Sequence, residues 1–281
     1  MSHGPAPWQQ SNWDWRAAGN FIGGGAGGGL IVFTAFCGAQ GPALAALLLS
    51  GLALIGCGLL CVCLELGRPL RALHVFFNPR TSWMTREAIT ATLLLPVGMA
   101  AATGLPGFVW VAAALAIAFV YCQSRMLQAA RGIPAWREPL LSPLIVLTGL
   151  VEGGGAFFLT DGLHHAGTEL LLVLFGTLVL ARVLVWLAYR RRIGAIADPR
   201  ALAALVAPGR ALQLLGTVLP LALVALPVVV ALGGQAVSTA AAIAGFAAWI
   251  TGACLKYALV TRAGFNQGFS LAHLPVRGVR P

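Results

Sequence analysis

Hydrophobic residues in this chain do not alternate with polar ones; they come in long unbroken runs set off by short polar punctuation. A hydrocarbon core roughly 30 Å thick takes about 20 helical residues at about 1.5 Å each. Eight runs of that order can be marked, from Asn20 to Gly38, Ala43 to Leu64, Ala88 to Thr103, Phe108 to Met126, Leu141 to Thr160, Leu170 to Tyr189, Ala211 to Leu232 and Ala236 to Val260. They are apolar on all faces, where a membrane β-barrel would show short alternating segments, so the pattern predicts an all-α, integral membrane bundle of eight transmembrane helices. The third run is the shortest, and Pro96 and Gly98 inside it predict a kink rather than a break.

Composition agrees. Of 281 residues 59% are hydrophobic and 9% charged, and the mean hydropathy is +0.86, too apolar for the surface of a water-soluble domain. No cleavable signal is expected: Asp14 and Arg16 precede the first run, and no A-x-A site follows it.

The net charge of +10 resolves into topology. Arg16 precedes the first span; Arg68, Arg71, Arg80 and Arg86 fall between the second and third; Arg125, Arg131 and Arg137 fall between the fourth and fifth. Arg182, Arg190, Arg191, Arg192, Arg200 and Arg210 gather around the sixth-to-seventh connection, and Lys256, Arg262, Arg277 and Arg280 finish the chain. The loops around Gln40, Pro106, His164 and Gly234 carry none, so both termini and the three long loops are expected in the cytoplasm. Residues 1–19 are then a cytoplasmic segment, 20–260 the transmembrane domain and 261–281 a cytoplasmic tail. Nucleic acid is not an expected partner; phospholipid headgroups are.

Cys37, Cys57, Cys61, Cys63, Cys122 and Cys254 all fall in predicted spans or at their ends, and the C-x3-C-x-C spacing of Cys57, Cys61 and Cys63 fits neither zinc nor an iron-sulfur cluster, so packing is their expected role. Gly23, Gly25 and Gly28 reproduce the G-x-G-x-x-G spacing of a dinucleotide turn, but WDWRAAGN precedes them instead of an apolar strand. In a span, glycines three and four apart let a helix or a flat ligand come close to the backbone, and both readings stay open. Asn20 adds a polar amide inside the membrane about one turn from the cluster, with Trp13 and Trp15 near headgroup level.

Between the second and third spans, LELGRPLRALHVFFNPRTSWMTREA (residues 64–88) gathers Glu65, Arg68, His74, Trp83, Arg86 and Glu87 at the membrane edge. Three features here and upstream resemble the eight-span integral subunits of polysulfide reductase, dimethyl sulfoxide reductase and their relatives, the NrfD-like family. They are W-x-W (Trp13, Trp15) followed by a glycine-rich span (Gly23 to Gly29), L-G-R-P (Leu66 to Pro69) and S-W-x-x-R-E (Ser82 to Glu87); these motifs cover about the first third of the chain. Within the family, WDWRAAGNFIGGGAGGG looks most like the membrane subunit of phenylacetyl-CoA:acceptor oxidoreductase.

The resemblance implies a membrane anchor in a bacterial-type inner membrane that exchanges electrons between a four-cluster iron-sulfur subunit and a quinone, ubiquinone or menaquinone, with a molybdopterin catalytic subunit beyond. It would place Asn20, Glu65, Arg68, His74 and Glu87 around the quinone. Some relatives have a histidine where Glu65 stands, so which of Glu65, His74 and Glu87 hands protons to the quinone stays open. With the amino terminus cytoplasmic, the partners are expected on the cytoplasmic face and electrons are expected to flow toward quinone.

Such a site must hold a flat ring, hydrogen-bond two oxygens and handle protons. Imidazole and carboxyl groups suit the last task, although burial and a neighbouring arginine pull a carboxyl in opposite directions. Glu65 and Glu87 fit a structural ion pair equally well. Gly24 would give a ring access to the backbone, Trp83 is an interface anchor or a stacking surface, and Tyr121 and Gln123 either close the pocket or bond backbone, as do Lys256 and Tyr257. Glu152 lies inside the fifth span, where the readings are a hydrogen-bonded packing residue beside Gly153 to Gly155 or part of a proton route with Asp161, His164 and His165. His3, His74, His164, His165 and His273 all lie outside the spans, so neither a haem nor an iron-sulfur cluster is expected in this chain. GGGAGGG near Gly23 and VEGGGAF near Gly153 are weakly alike, leaving room for two four-helix halves. A secondary transporter and an anchor that binds no quinone remain as rivals.

Overall fold

The computed structural model describes residues 7–64, 69–160, 168–230 and 234–268. They form α1 (Trp15–Cys37), α2 (Gly41–Cys63), a 3-10 segment (Pro69–Phe77), α3 (Trp83–Ala102), α4 (Phe108–Ala129), the short α5 (Pro134–Arg137), α6 (Leu141–Leu159), α7 (Thr168–Ile193), α8 (Pro199–Ala204), α9 (Val206–Gln213), a π segment (Leu214–Val218), α10 (Leu219–Val230) and α11 (Gly234–Thr261). Seven helical stretches among the described residues are long and apolar enough to cross a membrane. The long helix outside that set is α3, 20 residues long, which pairs with α4 and α2 and supplies the eighth rod of the bundle.

At the centre stands α1, with 83% of its most apolar stretch buried in the protein against 33% for α2. Each interior glycine disfavours a helix by about 0.8–1 kcal/mol in water, and α1 has seven of them. Helix persists because a bilayer offers the backbone no other partners, and because the missing side chains let four neighbours close in. The GGGAGGG run resolves into three pairs spaced four apart, each turned about 100° from the last. Gly23 and Gly27 lie against Leu54, Gly58 and Gly51 of α2; Gly24 and Gly28 against Gln123, Phe119 and Val120 of α4; Gly25 and Gly29 against Gly149 and Gly153 of α6. Asp14 caps the helix through the Arg16 N–H, and Arg16 holds its carboxyl below the usual range. Gly38, at φ 69°, ends it.

The same pairing recurs in each half. First packs on second and fourth, and third on fourth and second, among α1–α4 and again among α6, α7, α10 and α11. The two weakly similar glycine segments meet where the halves meet, at Gly25 and Gly29 against Gly149 and Gly153. One end of the bundle is closed by chain termini: Gln10 donates to the Trp13 and Val260 carbonyls, the Gln10 N–H to Gly264, and the buried Trp136 indole to Leu259. Phe33, Phe157, Phe158 and Phe175 fill the other half of the core, Phe158 meeting each of the other three edge-to-face.

Several boundaries move. Ser82 caps α3, accepting from the Thr85 N–H, so that helix begins at Trp83, five residues before the expected Ala88, and takes Arg86 and Glu87 inside; it runs unbroken through Pro96. The seventh crossing starts at Pro199 instead of Ala211, its charges tolerated at the membrane edge, and contains the π segment. Arg182 and Lys256, expected as topology markers beside loops, are buried inside the bundle. The six cysteines are unbridged, Cys61 packing on Gly19.

Gly153→Val should therefore cost about 1–3 kcal/mol or more through overpacking, because a Cβ there would meet the backbone of Gly29 and Leu30, whereas Gly56→Ala, with nothing within 4 Å, should be neutral. Thermal unfolding of the two variants in detergent checks this; equal melting temperatures would refute the Gly29–Gly153 contact.

Candidate functional site

Because α3 starts early, Glu87 lies in its second turn, 5% exposed, and faces α1 and α4. Asn20 of α1, 2% exposed, donates through Nδ2 to Glu87 Oε1 at 2.9 Å. Gln123 of α4, fully buried, donates through Nε2 to the Asn20 carbonyl at 3.0 Å and also reaches the Glu87 carboxyl. Three helices thus converge on one carboxyl. Gly24 is part of this arrangement, since a Cβ there would overlap Gln123 Nε2 and crowd Phe119; its openness is used by an amide.

Three polar atoms of this region have no hydrogen-bond partner among the described residues: Asn20 Oδ1, Gln123 Oε1 and Arg125 Nε. Two acceptors left over beside a carboxyl, and a donor left over at the neighbouring Trp83 ring, form an incomplete set, and buried polar atoms are ordinarily satisfied. Outside them lies a rim. Trp83 is half-buried, with the Arg86 guanidinium 4.1 Å and that of Arg125 5.0 Å from its ring centre, and Tyr121 meets it edge-on at 5.8 Å. Cations over an indole face are held by its quadrupole. Arg86 also donates to the Pro79 and Arg80 carbonyls, tying the turn before α3 to the rim. The Arg86–Glu87 ion pair that the sequence allowed is replaced by these contacts.

Of the predicted site residues, Asn20, Gly24 and Glu87 come together, with Trp83 and Tyr121 beside them. His74 is exposed on the 3-10 segment, its ring edge-on to Phe77 at 5.4 Å, with Leu73 and Phe76 also exposed. Glu65 and Arg68 lie outside the described residues, as do Asp161, His164 and His165. Among the described residues no group of three or more His, Cys, Asp or Glu side chains could hold a metal ion.

A second polar cluster lies one helix face away. Glu152 of α6 and Lys256 of α11, 0% and 1% exposed, form an ion pair at 2.6 Å, and Lys256 Nζ also donates to the Phe21 carbonyl at 2.8 Å. The sequence left Glu152 either a hydrogen-bonded packing residue or part of a proton route; the structure gives it a hydrogen-bonded partner that is a charge from another span. Arg182 of α7 lies near Glu152 and donates to the Ala248 carbonyl at 3.0 Å and to Gly216 O. Pro220 has no N–H to offer Gly216 four residues back, so the guanidinium supplies the missing donor. Sequence reasoning passed over Arg182 by counting it with the loop cations, although it has apolar residues on both sides, the signal of an interior charge; Lys256, weighed for bonding backbone, does so at Phe21, and its pairing with Glu152 is what sequence reasoning missed.

Lys256→Met alone should destabilise strongly, by about 3–5 kcal/mol, as it strands a buried carboxylate; Glu152→Gln/Lys256→Met should recover most of that. Melting temperatures of the purified chain test the ordering, and a double variant no more stable than the single would contradict a mutual ion pair.

Residues 24–259 match the family model of the DMSO reductase anchor subunit, DmsC, a span that includes every residue of both clusters except Asn20 and Phe21. No curated protein matches the chain.

Proposed function

We propose that this chain, which belongs to the DMSO reductase anchor subunit (DmsC) family of integral membrane subunits in molybdoenzyme complexes, is the quinone-reactive subunit of its complex. In this reading it passes electrons between an iron-sulfur partner and the membrane quinone pool. The observation that carries the reading is the buried Glu87 carboxyl, bonded to Asn20 with Asn20 Oδ1 and Gln123 Oε1 unpartnered beside it, behind a Trp83–Tyr121 rim where Arg125 Nε is also unpartnered.

Those atoms fit a quinone. Arg125 Nε is a donor for a ring oxygen in its oxidised form, Asn20 Oδ1 and Gln123 Oε1 are acceptors for a hydroxyl in its reduced form, and Trp83 and Tyr121 offer aromatic surface at the lipid side. A bound quinone supplies the two-electron, two-proton redox chemistry. The protein's part is to orient the ring and to hold or move a proton at a Glu87 oxygen, the buried geometry keeping that oxygen fixed against the Asn20 amide. His74, exposed on the segment leading to Glu65 and Arg68, is suited to exchange protons with water at that end.

The family implies catalytic and iron-sulfur partner subunits. The arginine distribution supports docking on the cytoplasmic face, with both termini there, in a bacterial-type inner membrane. Its likeness to the NrfD-like subunits, and above all of the opening segment to phenylacetyl-CoA:acceptor oxidoreductase, supports a dehydrogenase that delivers electrons to quinone. The buried clusters also speak against a transporter path through this end, since Gln123 and Lys256 fill the space that the glycines leave.

In the purified complex, Glu87→Gln should slow reduction of decylubiquinone by about 10²-fold, the usual worth of a positioned acid or base, and His74→Ala by less, while dye-linked turnover by the soluble subunits stays intact. Wild-type quinone rates in both variants would remove these residues from the mechanism. Gly4→Cys and His164→Cys, each introduced singly, should label from opposite sides of sealed vesicles, with position 4 on the cytoplasmic side; the reverse pattern would move the partners to the other face.

A further inference from the structure

The Glu152–Lys256 pair plays no part in the reading above, and its place is unusual. Every exposed cation of this protein is an arginine; its one lysine is Lys256, 1% exposed in the membrane interior. A buried ion pair is commonly no more stabilising than apolar residues of similar volume, so stability alone gives no reason for it.

What Lys256 touches gives a reason. Its Nζ donates to the Phe21 carbonyl at 2.8 Å, and Gln123 Nε2 donates to the neighbouring Asn20 carbonyl at 3.0 Å. In an α-helix those two carbonyls already face the N–H groups of Gly25 and Gly24, four residues on. Each accepts an added donor from another helix, and each approach crosses a glycine: a Cβ at position 24 would overlap Gln123 Nε2, and one at position 25 would overlap Lys256 Nζ. One turn of α1 is held from two directions about 100° apart. A compact ammonium fits over Gly25, where a planar guanidinium would demand more room.

That turn also carries Asn20, whose Nδ2 holds Glu87 at 2.9 Å. A helix face made of glycines has no knobs to interlock with its neighbours, so packing sets its position along the axis weakly. Directional bonds set it sharply, and hydrogen bonds weaken steeply with misalignment. We infer that Glu152 and Lys256 are positioning residues for the Glu87 site, fixing the axial register of the Asn20–Gly25 turn so that Asn20 meets the Glu87 carboxyl. The inference rests on the quinone reading and adds two residues from the other half of the bundle to it. Glu152 acts through Lys256, directing the ammonium toward the Phe21 carbonyl.

The test uses the intact complex with its partner subunits and decylubiquinone as the probe. The infrared difference spectrum between oxidised and reduced complex should contain a carboxyl band that disappears in Glu87→Gln. In Glu152→Gln/Lys256→Met, which buries no unpaired charge, that band should shift or vanish although Glu87 is present, and kcat/KM for decylubiquinone should fall about tenfold with dye-linked turnover unchanged. Gly25→Ala, which displaces the ammonium while keeping both charges, should produce the same shift and serves if the double variant does not fold. Glu138→Gln, which breaks the pair with Arg192 at 3.2 Å outside both clusters, should leave band and rate as they are. An unshifted band with wild-type kcat/KM in the double variant or in Gly25→Ala overturns the positioning role alone. A wild-type quinone rate in Glu87→Gln overturns the quinone reading, and this inference with it.

Discussion

The structure depends on backbone-to-backbone proximity around one helix. In a bilayer there is no hydrophobic force between helices, so association comes from van der Waals contact and internal hydrogen bonds, and both grow as helices approach. Seven glycines bring α1 within reach of α2, α4, α6 and α11 at once. The same closeness turns the α1 carbonyls into acceptors for side chains of other spans. Packing and polar chemistry here have a single cause.

That cause decides between the two roles that glycines three and four apart can have. A flat ligand lying on the α1 backbone would need the glycine face to be vacant. Gly23 and Gly27 are covered by the α2 backbone, Gly29 by α6, Gly28 by Val120, and Gly24 and Gly25 by Gln123 and Lys256. A ligand near Asn20 must therefore come from the α3–α4 side, over Trp83 and Tyr121, where the bundle faces lipid. A hydrophobic redox molecule would enter from there, since the membrane is its reservoir.

Much of this could be read from the chain. The crossings were legible because about 20 apolar residues in a row have few other uses, and Asn20 stood out as an amide with no water to bind. Glu87 was legible as a candidate, but its depth was not: Arg86 and Glu87 together looked like a membrane edge, and only the Ser82 cap shows that the helix starts before them. The interior positions of Arg182 and Lys256 were hidden by a rule that counts cations in loops. Partner choice was the part least available. Asn20 with Glu87, 67 positions apart, and Lys256 with Glu152, 104 apart, are set by how three or four helices cross, and no local spacing encodes that.

The two polar clusters share a logic that bears on how an anchor could work with partners attached at one end. Each half of the bundle places an acid against amide, ammonium or guanidinium groups drawn from other spans, and both are joined to the same turn of α1, Glu87 through the Asn20 side chain and Glu152 through Lys256 and the Phe21 carbonyl. Near that turn the chain emerges through Asp14, Trp13 and Gln10, which bond or stack on Arg16, Trp136 and Val260. A subunit bound at this end would press on the segment that leads directly into Asn20. The glycine turns that follow interlock weakly along the axis, so a shift there would be resisted at this turn mainly by directional bonds. Those bonds, Gln123 to the Asn20 carbonyl and Lys256 to the Phe21 carbonyl, are the ones that hold the turn bearing Asn20, so a partner docked at this end would act on the geometry at Glu87 through them.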